Sequence, residues 1–285
     1  MTCLYLSNVR HMLDTILICP KNDEESLQIL KIAQAGGFPV VISEQPHGAR
    51  LQHEPNLIAR LKYADHDATR VVIVEIPGPA VEDELRLVGY EVVIIDHHRY
   101  DNLDRMQPLS SLEQFLKIYD LTDERLQTLG FDSVLVRGVG MIDRGFVWEL
   151  KTAGVSKDDQ KRIRDHYVKL MNELGSPAAG SVEEAKRAWE SREQVDDIFI
   201  VKSRRADVKI REALSFVLAD LYEEPPQVLI LEGNGRVSLQ DSDLAPELHK
   251  AFGGFTFGQD RCWGFEPEPG RPAPGLENIL KVIVK

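Results

Sequence analysis

Asp96, His97 and His98 stand directly behind four apolar residues, Val92 to Ile95. All three side chains bind cations or carry protons, and a packed core has no use for them. Groups of the same chemistry end other apolar runs. Glu75 follows "RVVIV", and Asp143 closes the run that starts "SVLV". Ligands of open parallel sheets bind beyond the carboxyl ends of the strands. Glu75, Asp96, His97, His98 and Asp143 gathered at one such edge would make an oxygen and nitrogen site for a divalent transition metal, with Mn²⁺ its natural occupant. Taken singly, a strand-end acid reads equally as a helix cap or a solvated loop residue; the adjacent histidine pair is the rarer feature. The scattered His11, His47, His53 and His66 read as surface residues.

The elements that must position these groups follow from hydrophobic periodicity. "TILIC" (15–19), "FPVVIS", "RVVIVEI" and "EVVIID" read as strands. Near-continuous β-branched runs fit parallel strands covered on both faces. Leu27, Leu30, Ile32 and Ala33 predict a helix with Asn22 or Asp23 as N-cap, and "LIARLKYA" a short one. Leu112, Phe115, Leu116 and Tyr119 form a helical stripe behind a cap at Ser110 or Ser111, with Glu113 and Gln114 placed for a capping box. Residues 133–145 begin as a strand or a buried helix, and 157–174 read as a helix capped by Ser156. Alternating strands and helices mean an α/β fold with a parallel sheet. Residues 175–197 are small, polar and charged, and read as a linker with room for a short helix. A second α/β pattern follows. It has strands "IFIVKS", "QVLILEG" and "RVSLQ", helices "IREALSFVLADLY" and "APELHKAF", and a closing strand "ILKVIV". The expected division is therefore 1–174, a linker at 175–197, and a smaller unit at 198–285.

Composition removes several classes of function. The 285 residues hold 46 acids against 34 Lys and Arg, a formal charge of -12. Such a surface repels long phosphate backbones, so long nucleic acid is not the expected partner, while a small anion at a local site is compatible. Cys3, Cys19 and Cys262 are far apart and odd in number, which suggests neither a disulfide framework nor a Cys-x-x-Cys site and fits a reducing cytoplasm. The amino-terminal stretch does not read as a signal peptide, and no run approaches the roughly 20 apolar residues of a membrane span. "ILEGNGRVS" lacks the Lys-Ser/Thr of a phosphate loop and reads as a hairpin turn.

"VVIIDHH" resembles the signature of the DHH phosphoesterase superfamily, which includes RecJ-type nucleases, nanoRNase/pAp phosphatases, cyclic dinucleotide phosphodiesterases and family II pyrophosphatases. "LSSLEQFLKIYDL" and "GVGMIDRG" lie downstream where that family places a helix and then its motif IV aspartate. In residues the resemblance runs from about Val92 to Gly145; in architecture it covers the chain. It implies a parallel-sheet DHH domain followed by a smaller α/β DHHA1-like domain that binds substrate. It implies that His97 ligates a metal, that His98 contacts the substrate phosphate, and that Asp96 orients the histidines. Asp143 would be a carboxylate ligand, and Glu75 stands where the family has a metal-bridging aspartate. The chain departs at motif I, where "ICPKNDEESL" has no histidine. Its acids Asp23, Glu24 and Glu25 suit the first turn of a helix, where negative charge complements the dipole. One ion is therefore expected rather than two. In the second domain "AFGGFTFGQDRCWGF" occupies the place of the family's glycine-rich substrate loop, without its histidine. Gly253 and Gly254 would admit a phosphate to the backbone amides, with Arg261 and Arg204 as its cations. A β-turn between edge strands explains the same residues. The expected function is a divalent-metal phosphoesterase acting on a nucleotide or short oligonucleotide. The alternative is a catalytically impaired relative that binds nucleotides or serves as a scaffold. A homodimer is compatible with either.

Overall fold

The computed structural model describes residues 14–100, 102–175, 180–258 and 260–284. Cys3, His11 and the amino-terminal stretch lie outside the described residues, as do 176–179 of the expected linker. The chain packs as two compact units. One comprises the residues up to Gly140 with Lys169–Leu174; the other comprises Met141–Val168 and the residues from Gly175 onward.

The first unit is built on four parallel strands, β1 (Thr15–Pro20), β2 (Val40–Ser43), β3 (Arg70–Val74) and β4 (Glu91–Ile95), in the order β2–β1–β3–β4. Ile16, Ile18, Val71 and Ile73 on one face and Leu17 and Val72 on the other are buried, as expected of strands covered on both faces. The order reverses between β1 and β3, and a crevice at such a reversal, beyond the carboxyl ends, is where open sheets bind ligands. Strand β4 is the edge, and its Val92, Val93 and Ile94 are only half-buried. Helix α1 (Glu24–Ala35) starts where the sequence predicts, with the Asp23 carboxylate accepting from Ser26 N at 2.7 Å. Helices α2 (Leu57–Ala64) and α3 (Pro79–Leu87) follow β2 and β3. Helix α3 was not expected. Its proline stands in the first turn, where no amide is needed, and only a short apolar face marks it. After the two-residue strands β5 (Arg99–Tyr100) and β6 (Leu103–Asp104), α4 (Ser111–Ile118) carries a complete capping box between Ser110 and Glu113.

Helix α5 (Asp123–Thr128) leads into α6 (Ser133–Thr152), which is broken at Gly145 and Phe146. The apolar run before Asp143 is thus helical, and Asp143 does not end a strand. Val136, Val139 and Ile142 are buried at three-residue intervals, a helical spacing. Helix α7 (Lys157–Glu173) closes this part of the chain.

The second unit has a six-stranded sheet in the order β11–β12–β10–β9–β8–β7. Its strands are β7 (Glu193–Val195), β8 (Ile198–Lys202), β9 (Gln227–Leu231), β10 (Val237–Gln240), β11 (Phe255–Phe257) and β12 (Cys262–Phe265). Only β8 and β9 are parallel neighbours. Helix α8 (Ser181–Glu190) and β7 fill the stretch read as a linker. Ala185, Ala188 and Trp189 of α8 are buried, and the Trp189 ring meets Phe199 at 5.0 Å. Helices α9 (Arg211–Leu221) and α10 (Ala245–Phe252) fall where the sequence places them. The expected closing strand "ILKVIV" is instead helix α11 (Leu276–Ile283). Ile279 and Ile283, one turn apart, are its buried face against Trp263 and Leu239, so tertiary burial overrides the β-branched composition. Among the described residues no helix is long and apolar enough to cross a membrane.

Candidate metal centre

Three segments of the first unit deliver acids and imidazoles beyond the carboxyl ends of β1, β3 and β4. Behind β1, the first turn of α1 carries Glu25, whose side chain is 1% exposed. Its Oε1 accepts from Leu112 N at 2.8 Å, so one carboxylate joins the starts of α1 and α4. Behind β3, Glu75 takes a left-handed conformation with φ 51°, while its amide still bonds Ile95 O at 2.9 Å. Left-handed backbone is costly for a residue with a Cβ. It redirects the chain at the residue whose side chain is one methylene longer than an aspartate. Behind β4 come Asp96, His97 and His98.

Single ligand atoms of Glu75, His97 and His98 lie within 4.8 Å of one another, and the same holds for Glu25, Glu75 and His97. His97 Nε2 is 3.3 Å from Glu75 Oε1 and 4.0 Å from Glu25 Oε2. His98 is more open, its side chain 39% exposed, with Nδ1 3.7 Å from Glu75 Oε1 and 3.2 Å from Asp96 Oδ1. Asp96 is buried and accepts from His98 N at 3.0 Å and from the Tyr100 hydroxyl at 3.0 Å. Gln114 Nε2 donates to the Asp96 carbonyl at 3.0 Å, which ties α4 to the same turn. Two buried carboxylates facing one imidazole repel each other unless a cation lies between them. Carboxylate oxygens with imidazole nitrogens suit Mn²⁺, Zn²⁺ or Fe²⁺. The donor set therefore fits a divalent ion.

The electrostatics agree. Burial opposes the charge on Glu75, but His98 nearby, the His97 contact and the Ser111 hydroxyl together hold its carboxyl well below the usual range. Burial and then the acids Asp23, Glu75 and Glu25 push the Cys19 thiol well up, so Cys19 is no thiolate ligand. Burial, with Asp96 next in effect, likewise keeps Tyr100 protonated.

Glu75, His97, His98 and Asp96 lie together beyond the carboxyl ends of β3 and β4. Asp143 belongs by its packing to the second unit. It stands three residues after Gly140, about 4.5 Å along the same unbroken helical stretch. Gly140 lies so close to Ser110 that a Cβ would come 2.6 Å from its hydroxyl. In the second unit, Arg261 is paired with Asp243 at 2.8 Å. Gly253 ends α10 with φ 72° and leads into Gly254 and β11. A Cβ on Gly254 would come 2.3 Å from the Gly264 carbonyl, so close packing of β11 on β12 already explains that glycine. Arg204 follows β8, its amide bonded to Glu184 at 3.2 Å.

Sequence reading missed Glu25, taken only as a helix-start acid, and Arg50, Tyr100, Arg105 and Ser111. The one signal for Glu25 was its place directly behind strand β1, at the same sheet edge as Glu75 and His97. Arg50 lies 5.2 Å over the Tyr100 ring and has no carboxylate ion pair among the described residues. Its backbone is held by Gln45 through two 3.1 Å bonds. No local pattern in "QPHGAR" announces this.

No protein-family model matches the chain, and no curated protein does. Among solved structures it is similar to an exopolyphosphatase-related protein from Bacteroides fragilis, with 12% identity, TM-score 0.46, and 94% of this chain and 89% of that chain covered. It is similar to exonuclease RecJ bound to manganese, with 12% identity, TM-score 0.40 and coverage of 93% and 89%. A third is a pGpG-specific phosphodiesterase from Vibrio cholerae, with 8% identity, TM-score 0.41 and coverage of 94% and 96%. The chain is similar in outline to these structures over nearly all its length, while the chemistry of its centre rests on its own residues.

Proposed function

We propose that the protein is a divalent-metal phosphoesterase acting on a small phosphorylated substrate, a nucleotide or short oligonucleotide, in a cytoplasmic setting. The convergence of Glu25, Glu75 and His97, with His98 on the exposed side, carries this reading. Glu25, Glu75 and His97 would hold the ion, and Asp143 would be a further donor on the strength of its sequence position. Hydrolysis joins a water oxygen to phosphorus and releases the ester oxygen as an alcohol. The ion, when bound, acidifies water and offsets charge growing on the phosphoryl oxygens. His98, its Nδ1–H donated to Asp96, would carry a second proton on Nε2 and donate it to a phosphoryl oxygen. Arg50 offers its guanidinium to the same anionic group. Gly253, Gly254, Arg204 and Arg261 are proposed substrate contacts of the second unit, Arg261 by exchanging Asp243 for a phosphate.

The test combines Mn²⁺ calorimetry with Mn²⁺-dependent release of p-nitrophenol from bis(p-nitrophenyl) phosphate. One Mn²⁺ per chain and measurable turnover are expected, and His97→Ala should abolish both. Tight Mn²⁺ binding without turnover on any phosphoester would assign the chain to the impaired, nucleotide-binding alternative, which the motif I without a histidine favours. Absence of binding would remove the metal centre.

A further inference from the structure

Behind the histidine pair runs a second layer of charge that the proposed chemistry does not itself use. Arg105 follows β6, and its side chain is only 12% exposed. Its Nη1 lies 3.8 Å from Asp96 Oδ2, and its Nη2 lies 2.5 Å from Glu82 Oε1. Glu82 is buried in the first turn of α3, and the same Oε1 accepts from Gly78 N at 3.1 Å. Gly78 belongs to the loop that carries Glu75 out of β3. The Glu82–Arg105 pair therefore ties the strand-end loop of Glu75 to the strand-end turn of Asp96, His97 and His98. A buried ion pair of this kind contributes little net stability against an apolar substitute, so a role in fixing geometry accounts for it better.

We propose that Arg105, anchored by Glu82, is a positioning residue that holds the Asp96 carboxylate in the orientation that fixes the His98 ring. The proposal rests on the phosphoesterase reading for its effect on rate, but not for its effect on the ring. Asp96 already has the His98 amide and ring on Oδ1 and the Tyr100 hydroxyl on Oδ2. Arg105 is the cation on the remaining side of Oδ2. Without it Oδ2 loses its cation and only the His98 amide and the Tyr100 hydroxyl orient the carboxylate, so the 3.2 Å contact to His98 Nδ1 is held less firmly.

Arg105→Met and the double variant Glu82→Met/Arg105→Met, which does not strand the buried Glu82 charge, should be compared with Arg105→Lys in the full chain. Two readouts are needed. The imidazole nitrogen shifts of His98 in the metal-free protein at one fixed pH should show a single Nδ1–H tautomer in the wild type and in Arg105→Lys. Both Met variants should show a mixture. With Mn²⁺ and bis(p-nitrophenyl) phosphate, the Met variants should lose tenfold or more in kcat with KM within about twofold, and Arg105→Lys should recover most of that loss. Wild-type nitrogen shifts in both Met variants would overturn the proposal. So would equal losses in Lys and Met variants accompanied by a fall in Mn²⁺ affinity, which would mark a structural brace only. If the wild type turns over no phosphoester, the nitrogen shifts still decide the role of Arg105, while the functional reading fails separately.

Discussion

Glu24 and Glu25 are adjacent and chemically identical, and both stand in the first turn of α1, yet only Glu25 is buried. A residue at the start of a helix is read from sequence as a dipole partner; which of two neighbours also faces the sheet edge depends on the rotation of the helix about its axis. That rotation is set by apolar contacts such as Leu27 and Leu30, which are legible, and by the Glu25 bond to Leu112, 87 residues away, which is not. Glu25→Gln keeps the shape and removes the charge. It should lower Mn²⁺ affinity tenfold or more by calorimetry, whereas Glu24→Ala should leave it within about twofold. Equal effects of the two would return Glu25 to the role of a plain helix-start acid. Asp96, His97, His98 and Glu75 were legible because a buried strand reports its own end. Arg50, Tyr100 and Arg105 were not, because their roles come from loops that meet only in the fold.

Helix α8 shows the same limit for an element. Its sequence has no strong apolar stripe, and it is held by ion pairs and hydrogen bonds as well as by Trp189. Glu184 accepts from both nitrogens of the Arg187 fork, from the Ser203 hydroxyl at 2.8 Å and from Arg204 N at 3.2 Å. These contacts, Arg187 foremost, lower its carboxyl from 4.5 to about 2. A folded-state value below the unfolded one adds stability that is complete above about pH 4.5 and disappears as pH falls through about 2. Glu184→Gln should therefore destabilise the protein in urea melts at neutral pH, and the gap from wild type should close between pH 4 and pH 2. A gap independent of pH would remove the charge-based account. The misread carboxyl-terminal strand has the opposite cause. "ILKVIV" has strand composition, and only the one-turn spacing of Ile279 and Ile283 against Trp263 marks it as helix.

At the scale of the whole molecule, the α/β class and the presence of two units were legible, since strand and helix patterns recur on either side of the polar stretch. The boundary between packing units follows contacts rather than composition. Residues 141–168 belong with the second unit. Lys151 Nζ donates to Tyr222 O at 2.5 Å, Arg164 pairs with Asp220 at 2.7 Å, and Tyr167 meets Phe216 edge-on at 6.2 Å. A fragment of residues 141–285 should therefore melt cooperatively by circular dichroism, and one of residues 198–285 should not. Cooperative melting of the shorter fragment would show that the helices before the polar stretch are dispensable to it.

The open edge of β4 has a consequence for handling the protein. "EVVII" joins strand-forming residues and low charge in one short window, and its outer side has no neighbouring strand among the described residues. Such windows template intermolecular pairing when heat or dilution loosens what surrounds them. Here the same strand delivers Asp96, His97 and His98, so aggregation would begin in the segment that carries the chemistry. Val92 and Ile94 pack on the core cluster of one face, whereas half-buried Val93 lies beside Val72 on the other, so Val93 is the position where a gatekeeper charge disturbs that cluster least. Val93→Lys should delay the rise of light scattering on heating while Mn²⁺ affinity stays within about twofold. Unchanged scattering would place the seed of aggregation elsewhere.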